Sequence, residues 1–503
     1  MKPRLDQSHI WTAAWCAVAL AYPWSNAFMS VATAGLGLAA IATLVKTGLP
    51  LNRGAFGGWA LVGLVLWTGC SALWSSNPAG AIHDVRVKLP LLVAGLAWWA
   101  GQHPDSKVEV QWVLRCAVFS ATLATCAVVG LDVWEGAPFG GRSSSRFISH
   151  IRFGLWWAVL LPWTAHFLSR GWAWLAVVAA GLTWTWTESL TGLLAGAVTA
   201  AWWAPMLWDA SRSSESLRWP IKRRVVRHLA VLFCAGSAVT LGLTSALPSA
   251  FPDTASLSAR TAGGEPYVHR LDKRATENGH FIWTHVAWGE LAHGWKQRSS
   301  VPFKEVEPRL IRFLASKGLR KDREGVAALT AEEVAAIEMG YASVVEWQGV
   351  GWAPRWNRMC FNWGQWLDGR QSVDASLLAR SVYQKTAWQA IEDGMALGFW
   401  MAGTGSGDAQ MAMEQAYANH RPDWPAESRH RPHQQYLSLM LGLGWVGLAL
   451  WLWALLQGGR ISQAWPAVLV LAMSGLTEDT LQTQAGVTLA LWCLALPAFF
   501  RRR

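Results

Sequence analysis

Three histidines, His420, His430 and His433, fall within the stretch from Ala402 to Leu448, AGTGSGDAQMAMEQAYANHRPDWPAESRHRPHQQYLSLMLGLGWVGL. The stretch opens as a Gly-rich polar turn and ends in an apolar helix of membrane-crossing length, which sets a histidine at a membrane surface. An imidazole there takes a proton from a hydroxyl near neutral pH, with Tyr436 and the apolar helix holding its depth. A histidine beside a helix start also serves as an interfacial cap, so His433 gains weight only from what surrounds it.

Further charged groups sit at the ends of apolar stretches, where an unpaired guanidinium or carboxylate is costly and therefore a candidate for function. SSNPAGAIHDVRVKLPLL carries His83, Asp84, Arg86 and Lys88; GGRSSSRFISHIRFGL carries Arg142, Arg146, His150 and Arg152. WTESLTG carries Glu188, LLARSVYQKTAWQA carries Arg380, and GLTEDTLQTQAG carries Glu478, Asp479, Gln482 and Gln484. Taken singly, Arg86, Lys88 and Arg152 read as well as snorkelling anchors, and Glu478 and Asp479 as caps of the last helix.

The elements that must position these groups are apolar stretches near 10–24, 27–45, 55–74, 89–101, 111–131, 153–169, 172–187, 189–208, 228–247, 434–456, 463–477 and 485–500. Half of the residues are hydrophobic and 37 are tryptophan, a residue that concentrates at headgroup level. The expected fold is an all-α polytopic membrane protein of about twelve transmembrane helices. Met1–Ile10 leads into the first stretch without a small-residue cleavage site, so that stretch reads as an anchor. Lys2, Arg4, Lys46, Arg53, Lys107, Arg170, the cluster Arg218 to Arg227, Arg460 and Arg501 to Arg503 all fall on one side of a twelve-span topology. Both termini are then cytoplasmic, and much of the net charge of +11 is a topology signal and contact with anionic membrane lipid, with no need for nucleic acid.

The expected domain order is membrane helices over 1–247, an outer insertion over 248–432, and membrane helices over 433–503. Within the insertion, Val306–Lys317 and Ala331–Val345 have helical spacing, and Thr330 with Glu332 and Glu333 reads as a helix start. Six of the seven cysteines lie in or at apolar stretches, leaving Cys360 alone outside, which argues against a disulfide framework.

All five charged groups face the insertion's side. A basic outward-facing pocket suits an anionic lipid-linked substrate, because arginine binds phosphate oxygens bidentately. HExxH, CxxC and Asp-X-Asp are all missing from the sequence, so the expected site uses neither metal nor other cofactor. Gly403–Asp408, GTGSGD, lacks the Lys-Ser/Thr of a nucleotide P-loop.

At these residues the chain resembles the bacterial O-antigen ligases and O-antigen polymerases, in particular a ligase-like branch with a long periplasmic loop. VKLPLL (Val87–Leu92), SHIRFGL (Ser149–Leu155) and SLTGLL (Ser189–Leu194) are similar to family segments, as are ENGHFIW and SKGLRKDREGVAALTAEEVAAIE in the insertion. Arg380, Trp388, the Gly-rich turn, PHQQYLSLMLGLGWVG and TEDTLQTQAGV then follow in the family's order. Leu190 stands where many members have arginine, and Gly442 where many have glutamate. The resemblance implies a GT-C-like inner-membrane glycosyltransferase. It would move a glycan from undecaprenyl diphosphate to an acceptor hydroxyl on the periplasmic face: a lipid A–core sugar, another lipid-linked repeat, or a protein Ser or Thr. His433 would accept the proton, with Arg380 and Arg152, or Arg146, on the diphosphate. Arg86, Lys88, Gln434, Tyr436, Glu478 and Asp479 would bind or orient the partners. A transporter of lipid-linked sugar is the competing class; it would carry an internal repeat and mid-bilayer polar residues, and no half-to-half repeat is visible here. A sensor or scaffold would not need arginines at several separate span ends.

Overall fold

A computed structural model describes residues 7–136, 145–208, 242, 257–349, 351–369, 376–461 and 463–500. The described residues are overwhelmingly helical; the strands among them are β1 (Thr276–Glu277) and β2 (His280–Phe281), antiparallel with Thr276 opposite Phe281. The chain forms two compact units, Met1–Val231 with Arg380–Arg503, and Leu232–Ala379.

The first unit holds α1 (Gln7–Ala21), α2 (Asn26–Thr47), α3 (Phe56–Ser71), α4 (Pro78–Gly101), α5 (Val110–Trp134), α6 (His150–Phe167), α7 (Arg170–Trp186) and α8 (Leu190–Trp208). Among the described residues, four segments are long and apolar enough to cross a membrane: Asn26–Thr47, Arg53–Ser71, Val110–Trp134 and Gln435–Gly459. The expected ninth stretch, 228–247, lies outside the described residues apart from Gly242. Large aromatics and glycines pack these helices closely. Cβ atoms at Gly57 and Gly58 would meet Trp98 and Trp99 within 2.3 Å, and those indoles donate to the carbonyls of Gly54 and Ala55. Trp15, Trp156 and Trp492 form a buried cluster, with Tyr22 stacked on Trp156 at 4.1 Å.

One boundary differs from expectation in a way that matters. The charged run before residue 89 is not a loop ahead of the helix; α4 begins at Pro78 and carries it. Asn77 caps the first turn, proline at the first position suits helix initiation, and Lys88 neutralises Asp84 one turn back at 2.5 Å.

The second unit holds the hairpin and α9 (Trp288–Arg298), α10 (Phe303–Ser316), α11 (Arg323–Ala327), α12 (Ala331–Glu338), α13 (Val344–Gln348) and α14 (Ala353–Leu367). Its core gathers Trp295, Leu310, Phe313, Leu314 and Ile337. The expected start at Thr330 is a full capping box with Glu333, while the helix stops at Glu338 rather than near 345 because Gly340 turns at φ +109°.

Residues 380–432, expected within the insertion, belong with the apolar helices. They supply α15 (Ser376–Ala396) and α16 (Ala409–His420), ahead of α17 (Gln435–Gly459), α18 (Trp465–Thr477) and α19 (Gln484–Ala495). The Gly-rich turn explains the difference. α17 breaks at Gly444 (φ +65°), and the amides of Thr404 and Gly405 donate to the freed carbonyls of Leu441 and Gly442 at 2.9 and 3.1 Å. Asp408, closing the same turn, accepts from the amides of Ser76 and Asn77 at the start of α4.

Candidate functional site

The polar N-terminal end of α17 and the link between α18 and α19 meet in one place. Gln434 caps α17, its side-chain oxygen accepting from the Leu437 amide at 2.6 Å. Immediately before it, His433 is held in the left-handed region at φ +50°, which a non-glycine residue adopts only when its surroundings enforce it. Asp479 does the enforcing: one carboxylate oxygen accepts from the His433 amide at 3.2 Å, the other from the Ser438 hydroxyl at 2.5 Å. The backbone of His433 is thus fastened, while no described residue takes the imidazole as a hydrogen-bond partner.

Behind Asp479 lies Arg152, from the first turn of α6 and only 4% exposed. Its guanidinium donates to Ser474 at 3.1 Å, Thr480 at 3.4 Å and the Asp479 carbonyl at 3.4 Å. Every partner is neutral, so the cation is well positioned yet not consumed by an ion pair among the described residues.

Arg152, His433, Glu478, Asp479, Gln482 and Thr483 line a cleft of about 450 Å³ together with Gln410, Arg429, His430 and Arg431. Three arginines against two carboxylates leave the cleft basic. Arg431 donates to Gln482 at 3.1 Å, which ties the segment before α17 to the α18–α19 link. The ring of Tyr383 on α15 lies 5.6 Å from that of His430 and 5.7 Å from that of His433. Burial pushes the Tyr383 hydroxyl up and holds His433 below the usual histidine range; Asp479 and Glu478 oppose the latter shift. A shift in that direction favours the neutral imidazole, the form a general base requires. The cleft sets that ring beside guanidinium groups able to hold an anion.

The other expected residues divide by position. Arg380 donates to Glu478 at 2.6 Å and to the Thr477 carbonyl at 2.9 Å, so it borders the cleft through Glu478 without lining it. Arg146 is engaged with Asp132 and Glu135 at 2.7 and 2.6 Å, away from the lining. Lys88 is sealed against Asp84, Arg86 is exposed on α4, and the Tyr436 hydroxyl donates to the Ala472 carbonyl. His83 is exposed on α4, His150 meets the Ser145 hydroxyl at 2.8 Å, and His420 pairs with Asp393 at 2.9 Å. Glu188 turns the chain between α7 and α8 at φ +49°. Arg142 lies outside the described residues. A side chain at Gly442 would find only ordinary contacts, 3.6 Å from Ala409 at the nearest, so glycine is not sterically demanded there. Arg429, Arg431 and Tyr383 were not singled out from sequence; the alternation Arg-His-Arg-Pro-His ahead of α17 was the available signal for the first two.

No protein-family model matches the chain, and no curated protein matches it in sequence.

Proposed function

We propose that the protein is a metal-independent inverting glycosyltransferase of the bacterial inner membrane, resembling the O-antigen ligases, with about twelve spans in a GT-C-like arrangement and cytoplasmic termini. It takes a glycan from undecaprenyl diphosphate on the periplasmic side and delivers it to lipid A–core. The carrying observation is the shared cleft: a half-buried imidazole fastened by Asp479 beside a buried arginine with only neutral partners.

In the proposed step the acceptor oxygen attacks the anomeric carbon as its proton passes to the His433 ring. The bond from that carbon to the diphosphate oxygen breaks, and its electron pair stays on the diphosphate. Arg152 meets that developing charge, with Arg429 and Arg431 on the same cleft wall. Arg380 acts one step removed, by fixing Glu478. This ordering moves the diphosphate role from Arg380 towards Arg152 and supplies a positive partner where Leu190 replaces the family's arginine.

The test is transfer by purified protein from lipid-linked glycan to three separate acceptors: rough lipopolysaccharide, a second lipid-linked glycan, and a Ser/Thr-rich protein. Product on lipopolysaccharide, reduced about 10²- to 10⁴-fold by His433→Ala, supports ligation. Product on another acceptor keeps the chemistry and makes the enzyme a polymerase or a protein O-oligosaccharyltransferase. Translocation of the lipid-linked glycan without any product makes the protein a transporter.

A further inference from the structure

Helix α14 faces its unit's core with a mixed side, on which Phe361 packs against the apolar cluster. The same side carries polar groups: Asn357 donates to Glu277 at 2.5 Å and to Ser343 at 3.3 Å and accepts from the Asn278 amide at 3.2 Å, and Gln365 is buried as well. Gly364 lets the helix approach closely, since a Cβ there would lie 3.0 Å from the Ala275 Cα. The outer side carries Trp352, Trp356, Met359, Trp363 and Trp366, a single stripe at helical spacing. Trp356, Trp366 and Leu367 are 40%, 50% and 41% exposed.

From this geometry we infer that α14 is an interfacial helix whose tryptophan stripe seats in the headgroup region of a lipid bilayer. Indole rings favour that depth, and long arginine side chains reach from it to phosphate. Arg355 lies over the Trp352 ring at 5.4 Å, and the Arg358 side chain, which pairs with Glu346 at 3.2 Å, is 59% exposed. The stripe also adjoins an apolar part of the chain, because a Cβ at Gly242, within the stretch 228–247, would stand 3.1 Å from the Trp356 ring. Indole rings on the exposed face favour the headgroup region over a second copy of the chain. The inference requires a membrane but no sugar transfer, so it stands or falls separately from the proposed activity.

The full-length chain in nanodiscs of phosphatidylethanolamine and phosphatidylglycerol, carrying benzoylphenylalanine at Met359, Trp366 or the exposed Glu332 of α12, provides the test. Lipid adducts are expected at Met359 and Trp366, roughly tenfold above those at Glu332. Equal yield at all three positions, no lipid adduct at either stripe position, or adducts between copies of the chain in place of lipid would overturn the assignment.

Discussion

Asp479 spends both carboxylate oxygens on positioning, one on the His433 amide and one on Ser438. Asp479→Asn would turn an amide nitrogen towards one of those donors, at a cost of about 1–3 kcal/mol, read as a lower thermal midpoint together with slower transfer. Arg152 demands a guanidinium rather than charge alone, because it divides its donors among Ser474, Thr480 and the Asp479 carbonyl. Arg152→Lys should therefore reduce transfer by about 10²- to 10³-fold while the protein still folds, and wild-type rates in that variant would remove Arg152 from the mechanism. The pH dependence follows from His433. Its ring is held below the usual range by burial, and in the proposed step the neutral form is the active one. The rate should stay level as pH falls to about 6.5, the unperturbed histidine value, and decline only under more acidic conditions. A midpoint above that value would contradict the role.

At the scale of elements, the break in α17 and the Gly-rich turn are one device. Gly444 and Gly403 both have positive φ, and a Cβ at Gly444 would stand 2.2 Å from the Met401 carbonyl oxygen. Gly444→Ala should destabilise the protein by about 1–3 kcal/mol and impair transfer, since the turn also caps α4 through Asp408. Retention of the wild-type thermal midpoint would show that the break relaxes without consequence. The same geometry accounts for GTGSGD without a nucleotide: its amides serve the carbonyls of a broken helix.

Among the described residues, four helices have the length and composition to cross a membrane, and Leu190–Ala200, Trp465–Thr477 and Gln484–Phe499 are shorter apolar helices. Under the proposed twelve-span topology, both termini lie on the cytoplasmic side. Reporter fusions at each end should then be active in the cytoplasm and silent outside it, while a tag inserted near Lys296, on α9 of the second unit, should be reached by an externally added probe. Opposite sides for the two termini would exclude an even number of spans.

Much of this was legible in the chain itself. Apolar runs marked four helices long and apolar enough to cross a membrane, Thr330 with Glu333 marked a capped helix, and the charges near His433, Arg152 and Glu478-Asp479 were each placed at helix ends. Those features depend on local spacing, which sequence records directly. What tertiary structure alone decided concerns pairing between distant segments. Arg380 is drawn to Glu478, and Lys88 and Arg146 are taken up by nearby carboxylates, so equal-looking cations separate into structural and available ones. The left-handed turn at His433 exists because Asp479, 46 residues away, accepts its amide. Asn357 of α14 finds the buried Glu277 carboxylate, 80 residues earlier in the chain. Each outcome rests on which charge finds which partner in three dimensions, a quantity that no single segment contains.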